Sequence, residues 1–165
     1  MRRYVLFGVV IGVACAPLAL SAADATASLG VSASVSNNCT VSTAALTFAA
    51  YDPVVANASA NLDGTGRVTV ACTKGAAPNI ALGSGSSASG GSRRLSDGSG
   101  NFLTYDLYQD SGRSVAWAAT GAGILTPSPA TTKAARDFTV YGRIGGNQDV
   151  PAGSYADSVL ATVNF

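Results

Sequence analysis

From Thr26 to Val35 the chain alternates without a break. Ala27, Leu29, Val31, Ala33 and Val35 stand on one side, and Thr26, Ser28, Gly30, Ser32 and Ser34 on the other. A period of two over this length predicts a strand with one face for burial. It precedes a body with strands of its own, so it is free to pair with its own domain or with another molecule.

The body repeats the period in shorter pieces. Cys39 and Val41 share a face, and Leu46 with Phe48 opens a further alternation before Tyr51-Asp52-Pro53 turns the chain. Residues 54–61 are weakly patterned and read as a loop or edge segment. Asp63-Gly64-Thr65-Gly66 is turn chemistry, launching Val68, Val70 and Cys72 along one strand face. A turn over 73–78 leads to a strand marked by Ile80 and Leu82. Residues 83–100, rich in Gly and Ser, read as a long mobile connection. Phe102 to Tyr108 is a strand with Leu103, Tyr105 and Leu107 on one face, and Val115 and Trp117 mark its partner. After a loop over 120–132, Arg136 to Ile144 is the next strand. A final strand follows Pro151-Ala152-Gly153, with Tyr155, Val159, Ala161, Val163 and Phe165 on one face.

Short strands separated by Gly, Pro and Asp turns predict an all-β, antiparallel, immunoglobulin-like sandwich. Trp117 follows both body cysteines, so the immunoglobulin signature itself is absent. The last strand is apolar and needs a neighbour along its edge, because a long bare apolar edge invites aggregation. The alternating segment at 26–34 is the candidate to supply one.

Composition adds an export signal. Arg2 and Arg3 precede a largely apolar core, and Ser21-Ala22-Ala23 offers small residues for cleavage after Ala22 or Ala23. A membrane anchor is the weaker reading, since the core is short and no basic cluster follows it. Cleavage removes Cys15 and leaves Cys39 and Cys72 in an oxidising setting, where a disulfide is expected. Two cysteines without histidine do not complete a usual zinc site. Without Arg2 and Arg3 the chain carries eight basic and nine acidic side chains, every acid an aspartate. Nothing in that balance points to nucleic acid or a membrane surface.

Enzymatic chemistry finds little support. The chain has no histidine, which removes the usual nucleophile–base pairs. Asp106 and Asp110 fall at a strand end, where solvated acids are ordinary. Gly83-Ser84-Gly85-Ser86 lacks a phosphate-loop lysine. Asp97-Gly98-Ser99-Gly100-Asn101 lacks the later acidic ligands of a calcium loop. A self-contained secreted sandwich, acting as a coat protein or binding carbohydrate through Tyr108, Trp117 and Tyr141, is the alternative to a strand-donating protein.

The ordered set Asn38-Cys39-Thr40-Val41, Leu46-x-Phe48 with Tyr51-Asp52-Pro53, and Val70-x-Cys72-Thr73-x-Gly75 resembles the first half of the spore coat protein U domain. Leu103-x-Tyr105-x-Leu107-Tyr108-x-Asp110 with Trp117, and Pro151 through Val159, resemble its second half. That family includes Csu-type subunits of archaic chaperone–usher pili of Gram-negative bacteria. The resemblance implies an incomplete immunoglobulin-like sandwich completed by a donated strand. A periplasmic pilus chaperone fills the groove first, and the N-terminal segment of a neighbouring subunit replaces it at an outer-membrane usher. Laid onto this chain, it implies a signal peptide over 1–22, a donor segment over 23–34 and a sandwich domain over 35–165. Ala27, Leu29, Val31 and Ala33 become the inserted side chains. Tyr155, Val159, Ala161, Val163 and Phe165 line part of the acceptor groove. It further implies export to the periplasm and then the cell surface as a fibre, a role in adhesion and biofilm formation, and no cofactor. Two departures stand out: Ala27 and Ala33 are small for anchors, and residues 83–92 are featureless.

Overall fold

The computed structural model describes residues 22–165. The export signal read over Met1–Ala22, Cys15 included, lies outside them but for its last residue. The chain divides into two units between Ser34 and Val35. Ahead of that division, residues 22–34 form no strand and every residue is exposed, Leu29 by 88% and Val31 by 87%. The expected strand is therefore an unpaired alternating segment. A lone segment has no ladder of its own, so alternation by itself does not make it a strand.

The second unit is antiparallel β throughout. Its strands are β1 (Cys39–Thr47), β2 (Leu62–Cys72), β3 (Asn79–Leu82), β4 (Arg93–Ser96), β5 (Phe102–Tyr108), β6 (Arg136–Ile144) and β7 (Ala161–Asn164). One sheet has the order β1-β2-β6-β5-β4 and the other pairs β3 with β7. Every ladder is antiparallel. Alternation sets the facing: Val68, Val70 and Cys72 on β2, Leu103, Tyr105 and Leu107 on β5, and Val140 and Ile144 on β6 are buried in one core. Trp117 is fully buried among them and ties the sheets together. Its Nε1 donates to the Ile80 carbonyl on β3 (2.9 Å) and its amide to the Leu107 carbonyl on β5 (2.8 Å).

The strands expected at 102–108 and 136–144 form over those residues, and Ile80 and Leu82 lie on β3. Three expectations need correction. Asp63 to Gly66 is not a turn but the first half of β2. Its glycines serve packing, because a Cβ on Gly66 would lie 2.8 Å from Leu46 and one on Gly64 2.9 Å from Phe48. Val115 to Trp117 gives β5 a single bridge, Tyr108 to Ala116, instead of a strand. The last strand is short: residues 155–160 keep the in–out alternation but only Ala161–Asn164 enters a ladder.

Cys39 and Cys72 form the expected disulfide and are the first register pair of β1 and β2. It pins an otherwise exposed strand, since Thr40 to Ala45 are all solvent-facing. Closing a 33-residue separation contributes about 4 kcal/mol in the chain-entropy account. The double substitution Cys39→Ser with Cys72→Ser is expected to lower the urea-unfolding free energy by up to about that amount. An unchanged midpoint would show that β1 holds without the bond.

Candidate functional site

One side of the sandwich is open. A groove of about 900 Å³ runs between residues 43–51, from β1 and its continuation, and residues 150–161 ahead of and into β7. Its floor is the core itself, with Val68, Leu82, Leu95, Leu103, Tyr105, Leu107, Val140 and Ile144 in its lining. Because β1 ends its sheet, its outer edge has no neighbouring strand among the described residues. Counting antiparallel steps from β1 through β2, β6, β5 and β4 to the antiparallel Ser96–Ala156 bridge, the two walls run in opposite directions. A strand laid between them is parallel to one wall and antiparallel to the other.

The wall at 150–161 is bonded along one edge only. The carbonyls of Ala156, Ser158 and Leu160 accept from the amides of Ser96, Ser86 and Gly83 at 2.9, 3.0 and 2.9 Å. Strand alternation turns the backbone groups of the intervening residues the other way. Tyr155, Asp157 and Val159 accordingly make no backbone–backbone bond among the described residues. Their side chains face inward against the core, except that Asp157 interrupts the apolar run.

Asp157 holds this wall in place. It accepts from Tyr105 Oη (2.7 Å), Ser86 Oγ (2.8 Å) and the Ser87 amide (3.1 Å). Burial opposes its ionisation, but the hydrogen bonds from Tyr105, Ser86 and the Ser87 and Ser158 amides outweigh it and hold the carboxyl below the ordinary range. Burial and the same bond push the Tyr105 phenol up, so it remains a donor. The carboxylate lies so close to Gly85, whose φ is +91°, that a side chain there would collide with it. Residues 83–100 are therefore not the mobile connection expected. They contain β4, a Ser89–Ser92 bridge and the contacts to Asp157.

The opposite wall rests on glycine. Leu46 and Phe48 lie over Gly64, Gly66 and Gly142, where any Cβ would stand within 3 Å of them. At the far end Tyr51 Oη donates to the Gly145 carbonyl (3.1 Å) and accepts from the Gln148 amide (2.9 Å), which ties this wall to the segment that follows β6.

Of the expected groove residues, Tyr155, Val159 and Ala161 line it. Val163 packs against the core on β7 outside the lining, and Phe165 is 52% exposed beyond the last strand. Alternation misplaced these two because the wall bends into the β3 ladder at Ala161. Leu46, Phe48 and Asp157 were not read as groove residues. The Leu46-x-Phe48 motif carried a signal for the first two.

Other chemistry does not assemble. Among the described residues no group of three or more metal-ligating side chains occurs. Asp110 is a turn acid, accepting from the Val115 amide (2.8 Å) and from Ser114. Trp117 is buried and Tyr141 carries the Arg113 guanidinium 5.8 Å from its ring centroid, so Tyr108, Trp117 and Tyr141 form no shared stacking platform for a sugar.

A carboxylate held below its usual pKa stabilises the fold above the unfolded value near 4 and loses that contribution as pH falls through the folded value. Asp157→Asn is expected to cost about 2 kcal/mol at pH 7. The gap from wild type should narrow toward pH 3. Equal gaps in denaturant unfolding at both pH values would rule out a charged clasp.

Comparison with known proteins agrees with this geometry. A chain in the crystal structure of a chaperone–tip adhesion subunit pre-assembly complex, from the archaic chaperone-usher Csu pili of Acinetobacter baumannii, aligns with a TM-score of 0.58 at 20% identity. The alignment covers 79% of this chain and 40% of that one, and establishes a shared fold. Protein U of Myxococcus xanthus is 37% identical over 163 residues, covering 87% of each chain. The Spore Coat Protein U domain matches residues 25–162, and with that span and that relative the chain belongs to the Spore Coat Protein U domain family.

Proposed function

We propose that this protein is a structural subunit of a surface pilus, assembled when the N-terminal segment of one copy fills the groove of the next. The observation that carries the reading is a groove over an apolar floor, bounded by unpaired strand edges, in a chain that also presents an exposed alternating segment. The sizes agree. Thr26–Ser34 is nine residues long, about 30 Å when extended, and the wall residues 43–51 number the same. Backbone bonds along the bare edge supply affinity, and Ala27, Leu29, Val31 and Ala33 entering between the walls fix the register. Leu29 and Val31 each contribute about 1.5–3 kcal/mol on burial. Donation to the next copy is a heterologous contact that does not close, so it propagates a filament.

Before assembly the same groove needs a temporary occupant. A periplasmic chaperone fills that role and an outer-membrane usher is where the exchange takes place, with export directed by the signal at 1–22. The structural neighbour, a chaperone–subunit pre-assembly complex by its description, supports the chaperone as partner. The finished fibre stands on the cell surface and supports adhesion and biofilm formation. The groove is a protein-binding site, and the subunit acts without catalysis or cofactor.

Deleting Thr26–Ser34 tests the reading. The shortened subunit should still co-purify with a chaperone but give no ladder of heat-sensitive multimers on an unboiled denaturing gel. Leu29→Asp with Val31→Asp should behave likewise. Filaments that form as before in either variant would refute donation by this segment.

A further inference from the structure

The chain enters β1 under restraint. Cys39 is tied to Cys72 covalently and by register. One residue upstream, the Asn38 amide donates to Thr73 Oγ1 (3.0 Å) and the Asn38 carbonyl accepts from the Thr73 amide (2.8 Å). The Thr73 hydroxyl has one proton and two carbonyls within reach, Asn38 at 3.3 Å and Ser36 at 3.4 Å. A single threonine thus holds Asn38, the residue ahead of β1, on the side where β2 lies.

The groove borders the other edge of β1. To occupy its own groove, the segment 26–34 has to run beside that edge. A parallel course needs a crossover of about a dozen residues, and only 35–38 separate the segment from β1. An antiparallel course needs a reversal within 35–38. Asn37-Asn38 have the chemistry for such a turn, but Thr73 holds Asn38 by both its amide and its carbonyl.

We propose that Thr73 is a specificity-determining residue: it keeps the N-terminal segment out of its own groove and reserves it for a second copy of this chain. The inference rests on the donor-strand reading above. Self-pairing and donation compete for one groove, and self-pairing is intramolecular, so a short tether would otherwise favour it at every working concentration. A restraint that opposes the reversal, and leaves donation untouched, shifts the outcome toward polymer.

The test uses the full-length exported protein. Thr73→Val keeps the β-branched shape and removes the hydroxyl bonds. It is expected to raise the share of closed monomer about fivefold, the worth of one such hydrogen bond. That monomer should persist on an unboiled gel at all protein concentrations, with the Leu29 and Val31 amides protected from hydrogen exchange. A second variant, Thr73→Ala, also removes the hydroxyl while the Thr73 amide and the linker stay intact, and should shift the balance the same way. Wild type that polymerises, with neither variant gaining protected monomer, overturns the clamp and leaves the donor reading standing. Wild type that gives no ladder at any concentration sinks the donor reading and the clamp with it.

Discussion

Backbone amides beside an apolar core must find partners, and among the described residues a short row of them makes no backbone–backbone bond. Buried N–H and C=O groups cost free energy when unpaired. The groove exposes the inward edge at Tyr155, Asp157 and Val159 next to the side chains of the core. The rest of the architecture answers that constraint. A sandwich with all its strands would pack one between the walls; here the walls are braced separately and the space between them is kept open.

The braces are mostly polar and come from loops. Asp157 gathers two hydroxyls and an amide, which fastens the 150–161 wall to the Gly/Ser segment and to β5. Arg93 on β4 donates to the carbonyls of Leu82, Gly83 and Trp117 at 2.8–2.9 Å, and so joins the large sheet to the end of β3. Burial lowers its pKa, yet a guanidinium keeps its proton at any working pH. Tyr51 closes one end of the groove. By contrast, the exposed Arg67–Asp137 pair on the outer face contributes little.

Where one face of a strand meets the core, its bounds were legible in the sequence. Phe102–Tyr108 and Arg136–Ile144 form as the alternation predicts because each buries every second side chain. Asp63 to Gly66 was misread because turn propensity and close packing both call for glycine, and only the position of Leu46 and Phe48 decides between them. The Gly/Ser stretch hid β4 and its anchors, since low complexity carries no apolar period. The role of Asp157 was out of reach, because its partners Tyr105 and Ser86 lie 52 and 71 residues away. The floor of the groove was readable as core. That part of it stands open depends on where the last wall bends into β3.

The disulfide sets how the domain bears load. In the head-to-tail fibre proposed above, tension would arrive through the N-terminal segment at Asn38. Pulling there would peel β1 from its neighbour one hydrogen bond at a time, the weakest way to load a sheet. Cys39, at the first register pair, passes the force across a covalent bond into β2. That strand lies inside the sheet, paired with β1 on one side and with β6 over nine residues on the other. In that fibre the pull would be spread along both ladders in shear, leaving the tether and not the domain as the compliant part of each repeat.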